Sequence, residues 1–220
     1  MYLSRLILNP RSRRVQRELA QPYEMHRSVM RAFCNDLQQG EERVLWRVDE
    51  HPRLGLVLLV QSWDAPDWTW LAEEGARGYL LSVDEPNPAV KSFELHPAVG
   101  QSFTFRLRAN PTRRLSAGKG NTGKRVGIYD EEEQLAWLAR KGEQHGFHVL
   151  QAQVSRDEKV KDDDAIHRDG ATHKLELLSV QFDGVLQVTD SAKLVAAVET
   201  GIGSAKGFGF GLLSLVPPSP

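Results

Sequence analysis

The chain has 220 residues, 40% of them hydrophobic, which is enough to bury the core of one large domain or of two small ones. Its formal net charge is −1, and its one cysteine, Cys34, excludes an internal disulfide bond and a zinc site built from thiolates. No apolar run is long enough to span a bilayer and the first residues lack the apolar segment of a signal peptide, so we expect a soluble cytoplasmic protein without a membrane partner.

The first half of the chain predicts most of a ferredoxin-like βαββαβ unit. Residues 2–8 alternate apolar and polar side chains, which is typical of a strand. A helix is predicted from Pro22 to about Leu37, because proline is favoured in a first helical turn and Gly40 favours a stop. The other predicted segments are strands at 44–48 and 54–61, a short helix at 66–72 and a linker at 84–88.

The same order of elements repeats in the second half. A hairpin is predicted across Asp183-Gly184, a dipeptide that is common in tight turns, with its strands at 174–182 and 185–188. The other predicted segments are a strand at 103–108, a helix at 131–144 capped by Gly146, a strand at 147–154, a charged mobile loop at 155–170, a helix at 191–199 and a closing strand at 208–216.

The repeated order predicts an α+β protein with two tandem ferredoxin-like (RRM-like) domains, at residues 1–90 and 100–220. The charges are unevenly distributed between its segments. Residues 1–31 hold seven arginines against Glu18 and Glu24, and residues 101–128 hold seven basic residues and no acid. This distribution is typical of a protein with a face that binds a polyanion.

One face of the helix that begins at Pro22 carries groups suited to cutting RNA without a metal. The apolar stripe expected to face the sheet consists of Met25, Val29, Ala32 and Phe33. The adjacent face carries Tyr23, His26, Arg27, Met30 and Arg31. RNA cleavage needs a base for the ribose 2′-OH, an acid for the 5′-oxygen and a cation for the charge on the phosphorane, and histidine can make either proton transfer near neutral pH. We predict that His26, Tyr23 and Arg31 are catalytic; alternatively, Tyr23 and His26 are ordinary residues at the edge of a helix.

Two glycine-rich segments are candidates for contact with phosphate. Residues 201–211 hold five glycines around Lys206, so that the backbone can approach a ligand closely. A tight turn with a packed glycine-rich strand is an equal alternative. Residues 118–124 match G-x-x-x-x-G-K, but Arg125 stands where a nucleotide-binding loop needs Ser or Thr, so we reject nucleotide hydrolysis and predict a basic arm along a phosphate backbone. A merely solvated loop is the alternative for this arm.

The residues predicted to bind RNA are basic side chains and glycines from these regions. They are Arg11, Arg13, Arg14, Arg27, Arg106, Arg108, Arg113, Arg114, Lys119, Lys124, Arg125, Gly203, Lys206, Gly207 and Gly209. Many cations and few exposed aromatic residues favour a hairpin stem over a single strand as the bound form. The remaining histidines share no ligand spacing with a carboxylate or thiol, so we predict no metal site and no cofactor.

Five separated motifs resemble the CasE family, the CRISPR RNA-processing endoribonucleases of type I-E systems. They are Leu6-Ile-Leu8-Asn9-Pro10, Pro22-Tyr23-Glu24-Met25-His26-Arg27, Phe105-Arg-Leu-Arg108-Ala-Asn110-Pro111, Gly123-Lys124-Arg125 and the glycine-rich end. The resemblance covers nearly the whole chain in the same order.

The resemblance implies metal-independent cleavage of a repeat stem-loop in CRISPR precursor RNA, with the product retained in the Cascade complex beside other Cascade subunits. By motif, His26 would be the main catalytic residue, Tyr23 its partner and the glycine-rich loop an RNA contact. Position 31 looks like lysine in some relatives, so Arg31 keeps the charge but not the shape.

Two hypotheses follow for the function. The first is an endoribonuclease that leaves a 2′,3′-cyclic phosphate and a 5′-hydroxyl, and the second is an RNA-hairpin-binding subunit without chemistry. A histidine beside a tyrosine favours the first, because a binding surface does not require that pair.

Overall fold

The computed structural model describes residues 1–33, 44–115, 125–168 and 171–218, and for residues 155–168 and 171–176 the backbone alone. The described chain forms two compact units. The first unit contains Met1–Leu95, Lys161–Leu175 and Lys206–Leu212, and the second contains His96–Val160, Glu176–Ala205 and Leu213–Pro220. Residues close to the C-terminus therefore belong to the same unit as the N-terminal strand.

The first unit is built on a four-stranded antiparallel sheet with the ferredoxin-like strand order. Its elements are β1 (Tyr2–Ile7), α1 (Arg13–Ala20), α2 (Pro22–Met30), β2 (Leu45–His51), β3 (Gly55–Ser62) and β4 (Ala89–Ser92). The order across the sheet is β2-β3-β1-β4, with Leu6 opposite Leu58 in the central pair. Between β3 and β4 the chain forms 3₁₀ turns at Thr69–Ala72 and Glu74–Ala76, where the sequence predicted a helix at 66–72.

The apolar stripe predicted for α2 packs into the core of this unit. Met25, Val29, Ala32 and Phe33 are each 8% exposed or less. They belong to one buried cluster with Leu6, Leu8 and Trp46 of the sheet region. The opposite side of α2 is therefore free to carry polar groups.

Two features of this helical region differ from the sequence-based prediction. Helix α2 ends at Met30 rather than near Leu37, and residues 34–43 lie outside the described part of the chain. Helix α1 was not predicted at all. Its N-cap is Ser12, whose Oγ accepts a hydrogen bond from the Val15 amide, and it buries only Val15 and Glu18. A helix with so little apolar periodicity gives a weak signal in the sequence.

The second unit repeats the ferredoxin-like order. Its elements are β5 (Ser102–Ala109), β6 (Thr112–Arg114), β7 (Arg125–Gly127), α3 (Glu131–Gln144), β8 (Phe147–Arg168), β9 (Ala171–Val188), α4 (Ser191–Thr200) and β10 (Leu213–Val216). The last residues of β8, from Lys161, and the first of β9, to Leu175, are counted with the first unit. The sheet order is β10-β5-β9-β8, and β6 pairs with β7 in a separate two-stranded ribbon. The two sheets confirm the predicted tandem ferredoxin-like fold. Strand β8 continues to Arg168, where a loop was predicted from residue 155, and the closing strand begins at Leu213 rather than at 208.

The hairpin predicted across Asp183-Gly184 is wrong, because both residues lie inside the single strand β9. Asp183 pairs with Arg106 and Gly184 with Phe105 of β5. A Cβ atom added to Gly184 would overlap the carbonyl oxygen of Gln151. Glycine is needed here for close approach of a neighbouring backbone, which is a known reason for glycine within a strand.

Gly184→Ala should therefore destabilise the second unit by about 1–3 kcal/mol, since backbone atoms around the site cannot move aside as a side chain could. Urea unfolding would measure the change. Gly75→Ala is the matched control, because a Cβ atom at Gly75 meets nothing within 4 Å. An equal effect of the two changes would contradict the close-approach explanation.

Candidate active site

A surface groove of ≈ 540 Å³ lies along the polar sides of α1 and α2. We call it the α2 groove; its lining residues are Arg14, Arg17, Glu18, Tyr23, Glu24, His26, Arg27, Ser28, Met30 and Arg31. Helix α2 begins at Pro22 as predicted, and its buried residues Met25 and Val29 fix which side faces the groove. All three residues predicted to be catalytic line this groove.

His26 is half-buried in the α2 groove. Its Nδ1 atom is buried and has no hydrogen-bond partner among the described residues. Burial lowers the pKa of His26 below its ordinary value of 6.5, because the charged imidazolium loses solvation. The imidazole is therefore neutral at pH 7 and has a nitrogen lone pair with which to accept a proton.

A glycine from the far end of the sequence lies beside the imidazole. The segment Lys206–Leu212, which we call the glycine segment, belongs to the same unit as α2 and begins with a 3₁₀ turn at Lys206–Phe208. A Cβ atom built on Gly207 would lie 3.7 Å from both Cε1 and Nε2 of His26. The structure thus brings together two features that the sequence predicted separately, the helical histidine and the C-terminal glycines.

Tyr23 lies one helical turn before His26, and the two side chains line the same groove. The tyrosine is 39% exposed, whereas the histidine is half-buried. Residues at i and i+3 are neighbours on a helix surface, so a phenol and an imidazole can reach a common substrate group.

Arg31 extends from the end of α2 to the 3₁₀ turns that follow β3. Its Nη2 lies 2.8 Å from Oε2 of Glu73, and its Cζ lies 4.6 Å from the centre of the Trp70 ring. The ion pair is exposed on both sides, at 41% for Arg31 and 58% for Glu73. Such surface pairs contribute about 1 kcal/mol or less, so an entering phosphate can compete with Glu73 for the guanidinium.

Arg14, one of the residues predicted to bind RNA, lies within a network around the buried carboxylate of Glu18. Glu18 is 2% exposed and accepts hydrogen bonds from Arg14 Nε at 2.8 Å, Ser28 Oγ at 2.6 Å and Tyr79 OH at 2.6 Å. Arg14 also donates to Ser28 Oγ and lies 4.8 Å from the Trp70 ring centre. Burial, and next the charge of Glu18, raise the pKa of Tyr79, which keeps its hydroxyl a donor.

This network was not predicted from the sequence. The i, i+4 spacing of Arg14 and Glu18 was the available signal, but their helix was missed. Because Ser28 belongs to α2, the network joins α1 to the helix that carries His26.

The other predicted RNA contacts of the first unit lie around the same helices. Arg11 and Arg13 are exposed at the start of α1, and Arg27 is exposed and forms an ion pair with Glu24 at 3.0 Å. Lys206, Gly207 and Gly209 belong to the glycine segment.

The remaining predicted RNA contacts belong to the second unit. Arg106 pairs with Asp183, Arg108 donates to Ser179 Oγ at 2.7 Å, and Arg113 pairs with Glu133 at 2.7 Å. Arg114 and Arg125 lie opposite each other in the backbone register of the β6–β7 ribbon. A Cβ atom built on Gly203 would lie 3.5 Å from the Trp137 ring. Lys119 and Lys124 lie outside the described residues.

Within the described ranges, no three His, Cys, Asp or Glu side chains form a group suited to a metal ion. None of the helices described above combines the length and apolar character that crossing a membrane requires.

Comparison with known proteins identifies close relatives over the full length. A sequence profile for a family described as CRISPR associated protein matches residues 1–217. The chain is 40% identical to the CRISPR-associated endoribonuclease Cse3 of Thermus thermophilus and 31% identical to the CRISPR system Cascade subunit CasE of Escherichia coli, with 99% of this chain and 100% of each relative covered. It is also similar to the solved structure of Thermus thermophilus Cse3 bound to an RNA representing a pre-cleavage complex, with a TM-score of 0.79, 38% identity and 98% of both chains covered.

Proposed function

Because the chain belongs to this family of CRISPR-associated proteins, we propose that it is an endoribonuclease that cleaves CRISPR precursor RNA without a metal ion. Cleavage falls at the base of the repeat stem-loop and leaves a 2′,3′-cyclic phosphate and a 5′-hydroxyl. The cut hairpin stays bound, and the protein carries it in a Cascade complex with the other subunits. Support comes from the endoribonuclease Cse3, the Cascade subunit CasE and the RNA-bound Cse3 structure to which the chain is similar.

The observation that carries the proposal is a half-buried, neutral His26 in a groove with Tyr23 and Arg31. In this reaction the 2′-oxygen attacks phosphorus and the bond from phosphorus to the 5′-oxygen breaks. The 2′-hydroxyl loses one proton and the 5′-oxygen gains one, so the reaction needs no water and no redox partner. Side chains can perform both transfers if they are placed within hydrogen-bond reach.

We assign the proton-accepting role to His26, because burial keeps its imidazole neutral at pH 7. Tyr23, with its partly exposed hydroxyl, supplies the proton for the leaving 5′-oxygen. Arg31 offsets the charge that builds on the phosphorane oxygens once phosphate displaces Glu73.

The hairpin is held mainly through its phosphates. A-form RNA hides its base edges in a deep major groove, so cations and exposed backbone amides are the suitable partners for a stem. Arg27 lines the α2 groove and exposed Arg11 and Arg13 lie at the start of α1, while Arg114 and Arg125 are exposed on the β6–β7 ribbon. Positioning of one ribose by the bound stem then supplies the in-line geometry that the reaction requires.

The test of the proposed function is incubation of the purified protein with end-labelled repeat RNA in EDTA. We expect one cut at the base of the stem, followed by a stall after a single turnover because the hairpin remains bound. A repeat with 2′-deoxyribose at the cleavage site is the matched control and should bind without being cut. Binding of the normal repeat without cleavage would instead identify a hairpin-binding subunit, and cleavage only with added metal would contradict metal independence.

The pH dependence of single-turnover cleavage tests the role of His26. A base must be unprotonated, so the rate should be constant from pH 7 to 8 and should fall about tenfold per pH unit below the lowered pKa of His26. If the rate instead falls as the pH rises through 6 to 8, His26 acts in its charged form as the acid.

A further inference from the structure

The glycine segment contacts strand β2 at two points. The carbonyl oxygen of Leu212 accepts a hydrogen bond from Nη1 of Arg47 at 2.9 Å. Three residues earlier, the backbone of Gly209 lies against the ring of Trp46, where a Cβ atom would come within 2.7 Å of Cζ3. Two neighbouring residues of β2 thus contact the segment, Arg47 through a hydrogen bond and Trp46 through its ring.

Arg47 is unusual because its guanidinium is fully buried. The side chain is 2% exposed, and it forms two parallel hydrogen bonds with Asp49, Nε to Oδ1 and Nη2 to Oδ2, both at 2.8 Å. This bidentate pair fixes the plane of the guanidinium. Burying a charge costs free energy unless the charge is paired, so an arginine at this buried position points to a task that an apolar residue could not perform.

The other end of the segment faces the α2 groove. Gly207 lies beside Cε1 and Nε2 of His26, and the Gly209 amide donates to the Lys206 carbonyl, which closes the 3₁₀ turn between these points. Four residues, alternately phenylalanine and glycine, therefore separate Leu212, whose carbonyl is held by Arg47, from Gly207 beside the imidazole. Glycines do not fix their own conformation, so the position of Gly207 depends on what holds the segment.

We propose that Arg47, oriented by Asp49, is a positioning residue that holds the glycine segment over His26. The expected effect of this contact on RNA cleavage rests on the function proposed above, whereas its expected effect on the pKa of His26 does not. With the segment in place, the backbone of Gly207 shields the imidazole from water on one side. When the segment is released, water reaches the ring and the imidazole loses its fixed orientation.

The shielding has a measurable consequence for the titration of His26. The ionisable groups that share its surroundings are Arg14, Arg17 and Glu18 of α1, Tyr23, Glu24, Arg27 and Arg31 of the α2 region, and Lys206 of the glycine segment. Release of the segment reduces the burial that disfavours the imidazolium, so the pKa of His26 should rise towards its ordinary value.

The experiment is an NMR titration of the His26 imidazole, whose signal is identified by its absence in His26→Gln. The double change Arg47→Met with Asp49→Leu removes the hydrogen bond to Leu212 together with both members of the Arg47–Asp49 ion pair. We expect the His26 pKa to rise in the double variant. Arg47→Lys keeps the charge but lacks the planar fork, so it should give a smaller rise and provides a second variant if the first does not fold.

Two controls separate positioning from general loss of stability. Arg53→Met removes an exposed arginine from the turn that follows β2 and should leave the His26 titration unchanged. Leu58→Ala removes buried volume from the same core but no polar contact. An equal pKa rise in Leu58→Ala, or an unchanged pKa in a folded Arg47 variant, would overturn the proposal.

Single-turnover cleavage gives an independent second readout. The double variant should cleave repeat RNA about 10- to 100-fold more slowly, because a small displacement of a catalytic group costs that much in rate, while the affinity for RNA changes less. If wild-type protein does not cleave but the titration shifts as expected, the proposed function fails and the positioning role stands. If cleavage is normal in the double variant, the positioning role fails.

Discussion

Replacement of His26 by alanine should reduce single-turnover cleavage of repeat RNA by about 10²- to 10⁴-fold, the range that a positioned general acid or base contributes. The affinity for RNA should change little, because the imidazole is half-buried and neutral and so adds no charge to the binding face. Saturating protein with trace labelled RNA would separate the rate of cleavage from binding.

The matched control for this change is His148→Ala, which removes an exposed histidine from the first residues of β8. It should cleave at the wild-type rate. Cleavage by His26→Ala within tenfold of wild type would remove His26 from the chemistry. A parallel loss of binding would show instead that the change disturbs the whole RNA-binding face.

Replacement of Glu18 by alanine should lower the free energy of unfolding by about 3–5 kcal/mol, the usual effect of removing one partner from a buried ion pair. The carboxylate is 2% exposed and accepts hydrogen bonds from Arg14, Ser28 and Tyr79. Without it, the Arg14 guanidinium loses its countercharge and the buried Tyr79 hydroxyl keeps only the weak acceptor Met25 Sδ at 3.6 Å. Urea unfolding followed by circular dichroism would measure the loss.

The adjacent helix offers a matched control for this stability prediction. Glu24→Ala also removes a glutamate that pairs with an arginine one helical turn away, but Arg27 is 64% exposed. We expect a loss of about 1 kcal/mol or less there. Glu18→Gln should be intermediate, since the amide keeps one acceptor but not the charge. Similar values for Glu18→Ala and Glu24→Ala would show that the network around Glu18 contributes no more than a surface pair.

Features set by neighbouring residues could be predicted from the sequence. Pro22 begins α2 because proline suits the first helical turn, and the stripe from Met25 to Phe33 is buried as its spacing predicts. The same spacing placed Tyr23 and His26 on the other side, where both line the α2 groove. The catalytic and RNA-binding roles of these residues remain predictions.

Features set by distant residues could not be predicted. Asp183-Gly184 has the composition of a turn, but the close approach of Gln151 from β8 makes it part of a strand. Nothing in the sequence around Glu18 indicates that this residue is buried. Its carboxylate accepts a hydrogen bond at 2.6 Å from the hydroxyl of Tyr79, a residue distant in the sequence. Arg31 was predicted to offset charge on the phosphate. Its contacts with Trp70 and Glu73 depend on the 3₁₀ turns that follow β3, for which the sequence predicted only a short helix.

The position of the glycine segment in the sequence has a consequence for synthesis on the ribosome. Strands β1 to β4 and helix α2 emerge early, and N-terminal elements generally begin to fold during translation. Gly207 and Leu212 emerge far later, so the nascent unit carries His26 without the backbone that covers it. The surroundings of the imidazole are completed only after most of the second unit has been made. A nascent chain therefore holds the helix with Tyr23 and His26 before the glycine segment that lies beside His26 has been made.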